Sequence, residues 1–278
     1  MEYLVTVIFL VISACINNEN LNSDYLVNSD MTIEYDSNLI EKMDCIMYAN
    51  STIYIRNYYD LDAEKIGFYR ENEVVSVTGY IDGWYEVSYN NEKGYVESCY
   101  LNIKSPSDAV KYLDYVYTLG DVSYVDDIVV LFEKLPSNFK DHFKNDNSRI
   151  IITNKDLGSY IYGKKDSSIK GVCNYFHESG YADVYVIYDN TNKYVIYHEL
   201  GHYMDYELHY ISNSSEFIDI WHEEMAYLYM INNTNPANIN TPKEYFAEAF
   251  CYYMKNRTEL QNRCPKTYLF LEDCLKEM

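Results

Sequence analysis

The chain has 278 residues, enough for two modest domains, each with its own buried core. Its 43 acidic residues against 22 basic ones give a formal charge of −21. A surface this negative should repel nucleic acid and anionic membranes, which excludes nucleic acid as an expected partner.

The first residues, MEYLVTVIFLVISAC, carry an apolar run from Leu4 to Ile12. That is about half of what a membrane-spanning helix needs, and the small residues Ser13 and Ala14 follow it, so residues 1–15 read as a secretion signal. Glu2 stands where such signals carry a basic residue. Ile12-Ser13-Ala14-Cys15 resembles the bacterial lipobox, which implies cleavage before Cys15, lipid on its sulfur, and a protein secreted or held at the cell surface. The other cysteines are Cys45, Cys99, Cys173, Cys251, Cys264 and Cys274, with no CxxC pair for a cysteine zinc site. Export predicts disulfides, Cys45 with Cys99 and Cys264 with Cys274, against the alternative of buried thiols acting as small apolar residues.

Residues 16–43 are rich in Asn, Ser and Asp without a sustained period and read as a polar leader. Residues 44–104 form a β-rich block. Runs such as Thr52–Arg56, Val74–Thr78 and Trp84–Tyr89 are β-branched or aromatic, and Asp82-Gly83 and Asn90-Asn91 supply turns between them. IYIR, KIGFYRENEVVSVTGY and GWYEVSYNNEKGYVESCYL, within residues 48–103, resemble the bacterial SH3-like domain, although Asn57-Tyr58-Tyr59 replaces that family's usual Ser-Gly-Pro. The resemblance implies a small all-β barrel and a cell-wall peptide or sugar as its ligand; the alternative is a spacer with aromatics in its core.

A boundary falls at Lys104-Ser105-Pro106-Ser107, opening a second domain over residues 105–278. DAVKYLDYVYTL is predicted as a helix capped by serine, and YVDDIVVLFEKL as a second, stopped before Pro136. Arg149–Thr153 and Asp183–Tyr188 read as strands, and helices run from Lys193 to the end. The expected arrangement is α+β, separate from the small barrel.

Within those helices, YVIYHELGHYMD places His198 and His202 one turn apart, with Cβ atoms roughly 5–6 Å apart on a common face. That spacing suits two imidazoles meeting one Zn²⁺. Glu199 projects about 100° around the helix from His198, where it can face an open coordination position and act as general base on water. Gly201 would let this helix pass close to the sheet. Two histidines sharing a face by chance is the competing reading.

A catalytic zinc needs a third protein ligand. In TPKEYFAEAFCYYM, Thr241 can be the N-cap and Pro242 the first helical residue, and Glu244 and Glu248 lie one turn apart. Spacing leaves both open, and it favours Glu248, because Thr241-x-x-Glu244 is also a capping-box pattern that would fold Glu244 back onto the backbone. Glu223 and Glu224, in SSEFIDIWHEEMAYLYM, a helix capped by Ser214 or Ser215, are more distant rivals.

HELGH followed by EYFAEAF, with LPSNFKDHF and IIITNKDLG upstream, resembles the anthrax lethal factor and Pro-Pro endopeptidase family over residues 125–278. The resemblance implies a zincin-like metallopeptidase domain in which His198, His202 and Glu244 hold Zn²⁺ and Glu199 is the base. It implies a supporting role for Glu248 on a ligand histidine, and Asp205, just beyond His202, is a further supporting candidate. It also implies protein or peptide substrates with proline around the cleaved bond. Where that family carries an oxyanion-binding tyrosine this chain has Ala237. Tyr203, Tyr229 and His222 are candidate substitutes. The alternative function is a catalytically weak or inactive peptidase-like protein that binds cell wall; peptidoglycan amide hydrolysis is a third reading, resting on the SH3-like domain alone.

Overall fold

From residue 41 to 102, β-branched and aromatic side chains alternate with polar ones and the chain folds as strands. In this computed structural model, residues 40–102, 108–162, 165–176, 180–188, 192–232 and 239–278 are described. The signal segment, Cys15, most of the leader and Ala237 lie outside them.

The first strands are β1 (Glu41–Ala49), β2 (Ile53–Arg56), β3 (Lys65–Tyr69), β4 (Val74–Ile81), β5 (Trp84–Tyr89), β6 (Glu92–Glu97) and β7 (Leu101–Asn102). They form one antiparallel sheet in the order β3-β2-β6-β5-β4-β1-β7, the expected small all-β SH3-like part. The two hairpin turns anticipated from sequence have the left-handed backbone that such turns need, at Asp82-Gly83 and Asn90-Asn91. Ile55, Val75, Val87 and Val96 are fully buried at its centre.

The second sheet runs β11-β12-β10-β9-β8, from β8 (Val110–Leu113), β9 (Val116–Leu119), β10 (Arg149–Thr153), β11 (Gly171–Phe176) and β12 (Tyr181–Val186). β10 pairs in parallel with β9 and β12, while β8 and β11 are antiparallel edges. The helix expected over DAVKYLDYVYTL is therefore a β8–β9 hairpin. Val116-Tyr117-Thr118 is a run of strong β-formers that fits a pleated surface beside β10, and that pairing overrides the helical period.

The helices are α1 (Val125–Glu133), α2 (Ser137–Asn145), α3 (Leu157–Tyr162), α4 (Val195–Glu207), α5 (Ser215–Asn232), α6 (Pro242–Arg263) and α7 (Pro265–Glu277). One face of the second sheet, with Ile150, Ile152, Val184 and Val186, packs with Ile196 and Leu200 of α4 in the main core. The opposite face, with Ile151 and Tyr185, packs with Leu157 and Ile161 of α3 and with Ile46 of β1. The result is an α+β domain with α4 laid beside β11 and β12.

Neither expected disulfide is formed. Cys45 is buried while Cys99 is exposed, and Cys264 and Cys274 are buried thiols. Burial pushes both of the latter up to about 12, so they stay neutral and pack as small apolar groups.

Candidate metal centre

Helix α4 brings His198 and His202 to one face, their rings 4.8 Å apart and nearly perpendicular. It crosses α6 at Gly201, where a Cβ would lie 2.7 Å from Ala247 Cα. The close approach that Gly201 permits is thus to a helix, not to the sheet as expected, and it draws α6 down onto the histidines.

Thr241 caps α6: its Oγ1 accepts from the Glu244 N–H at 3.2 Å, and Pro242 fills the first turn. The cap engages only the backbone of Glu244. Its carboxylate turns to the histidines, Oε2 lying 3.3 Å from His198 Nε2 and Oε1 3.6 Å from His202 Nε2. One turn on, Glu248 Oε2 is 3.0 Å from His198 Nδ1, and Asn232 Nδ2 donates to its other oxygen. A proton on Nδ1 shared with Glu248 leaves the Nε2 lone pair for a metal. Potential ligand atoms of His198, His202 and Glu244 lie within 4.8 Å of one another.

Glu199 is buried against β11. A Cβ at Gly171 would come 2.4 Å from its Oε1, so glycine there makes room for the carboxylate, which accepts the Cys173 backbone N–H. Burial raises the Glu199 pKa, opposed by His198 and His202. For His198, burial disfavours the charged form, but hydrogen bonds to Glu244 and Glu248 dominate and raise it to about 10. Glu244 is held far below the usual carboxylate range: burial pushes it up, and hydrogen bonds from both histidines outweigh that. Three carboxylates, Glu199, Glu244 and Glu248, thus surround two imidazoles in a largely dry setting, a charge set that a divalent cation would neutralise. Two histidines and a glutamate with room for a further ligand match the donor chemistry of catalytic zinc. The residues fit the metal.

The other candidates are placed elsewhere. Asp205 is fully buried, but its two oxygens accept the Ser212 N–H at 2.7 Å and the Ser212 hydroxyl at 2.8 Å, pinning the end of α4. Glu224 accepts the Lys266 and Thr267 N–H groups at 3.1 and 2.9 Å and so caps α7, while Glu223 pairs with Lys266. Tyr203 Oη donates to Asp146 within the core, and Tyr229 and His222 are exposed.

The site opens into a cleft of about 370 Å³ bordered by Gly171–Asn174 of β11 and by Cys45, Ile46, Tyr162 and Lys243. A larger cavity, about 810 Å³, lies away from it beside Lys144 and Arg149, whose charges are already met by Glu133 and Asp183. Asn232, Gly171 and the β1 residues escaped sequence reasoning. Only Gly171 carried a signal, a glycine opening a strand, which often marks a close approach.

The family described as anthrax toxin lethal factor, N- and C-terminal domain, matches residues 121–274, more than half of the chain, and that span holds both α4 and α6. The chain belongs to the anthrax toxin lethal factor domain family. In this lethal factor-type domain the HELGH and EYFAE segments are the two that converge at the cleft. The bacterial SH3 domain family matches residues 51–102, covering β2 to β7 but not β1. Among solved structures, the Pro-Pro endopeptidase PPEP-2 of Paenibacillus alvei is similar at 20% identity and a TM-score of 0.44, covering 57% of this chain and 96% of that one. Among curated proteins none matches.

Proposed function

We propose that this chain is a zinc-dependent endopeptidase that hydrolyses peptide bonds of protein substrates. The convergence of His198 Nε2, His202 Nε2 and the Glu244 carboxylate beside a buried Glu199 carries the reading. These three residues would hold the zinc, with Glu248 fixing the orientation and tautomer of His198. Zinc, when bound, supplies Lewis-acid polarisation of the scissile carbonyl and acidifies water at the site. Glu199 takes a proton from the attacking water and delivers it to the leaving amine. Its burial, which favours the protonated form, suits a group that must hold that proton between the two steps. Glycine at 171 leaves room for this carboxylate against β11.

The proposal extends to export, supported by the apolar run before Cys15 and its lipobox resemblance, and to a cell-wall ligand for the SH3-like part. Substrates with proline near the cleaved bond are included on the strength of the HELGH and EYFAEAF motifs. Ala237, standing where a tyrosine is expected, favours a second reading: a weak or idle peptidase that acts by binding.

Zinc content and cleavage of a peptide library, compared between the native protein and Glu199→Gln, separate the readings. Native cleavage with the variant silent supports the endopeptidase. Equal cleavage by both refutes the role of Glu199, and zinc with no cleavage of any peptide favours the second reading.

A further inference from the structure

Strand β1 precedes the span matched by the SH3 family, yet it belongs to that sheet, pairing with β4 from Glu41 to Tyr48. Its other edge is covered by β7 only at Tyr48 and Ala49. At Ile46 the missing neighbour is replaced by a side chain of the peptidase domain. Asn174 Oδ1 accepts the Ile46 N–H at 2.9 Å, and Asn174 Nδ2 donates to the Ile46 carbonyl at 3.2 Å. One buried amide thus satisfies both backbone groups of one residue, as a neighbouring strand would.

The Ile46 side chain is buried in the layer formed by Leu119, Ile151, Ile161 and Tyr185, not in the core of its own sheet. Tyr48 Oη adds a bond of 2.9 Å to the Ile161 carbonyl of α3. Buried apolar contact together with fully paired polar groups marks a fixed junction, unlike a module swinging on a tether. The same stretch reaches the metal centre, since Cys45 and Ile46 border the cleft that holds His198, Glu199, His202 and Glu244. β11, the edge strand of the second sheet, lines the same cleft.

We propose that β1 of the SH3-like part is a permanent wall of the substrate cleft, and that its fixed Cys45–Ile46 segment limits the bulk of the side chains that can stand beside the scissile bond. This deepens the endopeptidase reading and rests on it. The bacterial SH3-like part is then a specificity element of the peptidase, whatever else it binds. A peptide entering the cleft meets an immobile surface at Cys45–Ile46, where a bulky side chain cannot make room for itself.

The test uses the full zinc-loaded chain and two variants, Asn174→Leu and Ile46→Glu, each checked for folding by its thermal melt. Hydrogen exchange reads the junction; binding of two hydroxamates reads the wall, small acetohydroxamate against one bearing a bulky uncharged aromatic group. Amides of β1 and β11 should exchange about tenfold faster in both variants. Affinity for the bulky probe should rise about tenfold while that for acetohydroxamate holds. Exchange unchanged in both variants would overturn the junction. Faster exchange with an unaltered ratio of the two affinities would overturn the wall, with the zinc site intact. Failure of the endopeptidase reading registers separately, as native protein that holds zinc and binds acetohydroxamate but cleaves nothing.

Discussion

Gly201 and Ala247 sit at a crossing where a β-carbon on the glycine would lie 2.7 Å from Ala247 Cα and 3.1 Å from its carbonyl oxygen. Backbone cannot yield there as a flexible side chain would. Gly201→Ala must therefore lift α6 away from α4, which moves Glu244 and Glu248 off His198. A loss of about 1–3 kcal/mol in stability is expected from the overpacking, with zinc affinity reduced as well. Denaturant melts and a competitive chelator titration check both; an unchanged melt and affinity would mean that the crossing is slack.

The helical half of the site was legible because periodicity and capping speak locally: His198 and His202 follow from spacing within α4, and Thr241, Pro242 and the Glu pair from spacing at the start of α6. Choosing Glu244 over Glu248 was beyond spacing, since a capping box and a ligand use the same residue. In the structure Thr241 bonds to the Glu244 backbone and the Glu244 carboxylate faces the histidines, so the two uses of the residue are compatible. Tertiary pairing hid the rest. The hairpin at Val110–Leu119 depends on β10, more than 25 residues on, and the Asn174–Ile46 clamp joins residues 128 apart. No local pattern announces such partners.

The two glutamates of α6 should separate experimentally. Glu244→Ala removes a carboxylate facing both Nε2 atoms and should abolish tight zinc binding. Glu248→Ala removes the hydrogen bonds with His198 Nδ1 and Asn232 but no group facing either Nε2 atom, and should cost about 10–100-fold in affinity. Zinc titration against a fluorescent chelator measures the order, and the reverse order would assign the ligand to Glu248.

Gly171→Ala should act on the base alone. The added methyl meets the Glu199 carboxylate at 2.4–2.7 Å and must push it from its place beside Cys173. Zinc content should hold while kcat falls by about 10²-fold, the scale of losing a positioned general base. Steady-state kinetics alongside metal analysis distinguishes this from a metal defect, which would lower both.

Protonation and metal binding compete at His198. In the metal-free protein burial disfavours its charge, but Glu244 and Glu248 raise its pKa to about 10. Because the folded value lies above the ordinary one, the protonated imidazole stabilises the apo fold fully below about pH 6.5, and that contribution fades as pH rises through about 10. Zinc requires the neutral ring at Nε2, so loading at pH 7 should release about one proton per metal from this residue. Calorimetry in buffers of differing ionisation heat reads the number. Zinc binding with no proton release would contradict the coupling.

The Asn174–Ile46 clamp also has a stability consequence. Asn174→Ala leaves the buried N–H and carbonyl of Ile46 without their partner and should cost about 1–3 kcal/mol for each group stranded. A chemical melt provides the value, and a change within about 0.5 kcal/mol would show that water replaces the amide.

The site's central claim is that imidazoles from adjacent turns of α4 and a carboxylate from α6 share one cation. A crystal structure of the zinc-loaded protein, with anomalous scattering recorded across the zinc edge, addresses it directly. The expected result is one zinc bound by His198 Nε2, His202 Nε2 and Glu244, with Glu199 beside it and Glu248 on His198 Nδ1. Zinc held by any other set of residues, or none in crystals grown with saturating zinc, would contradict it.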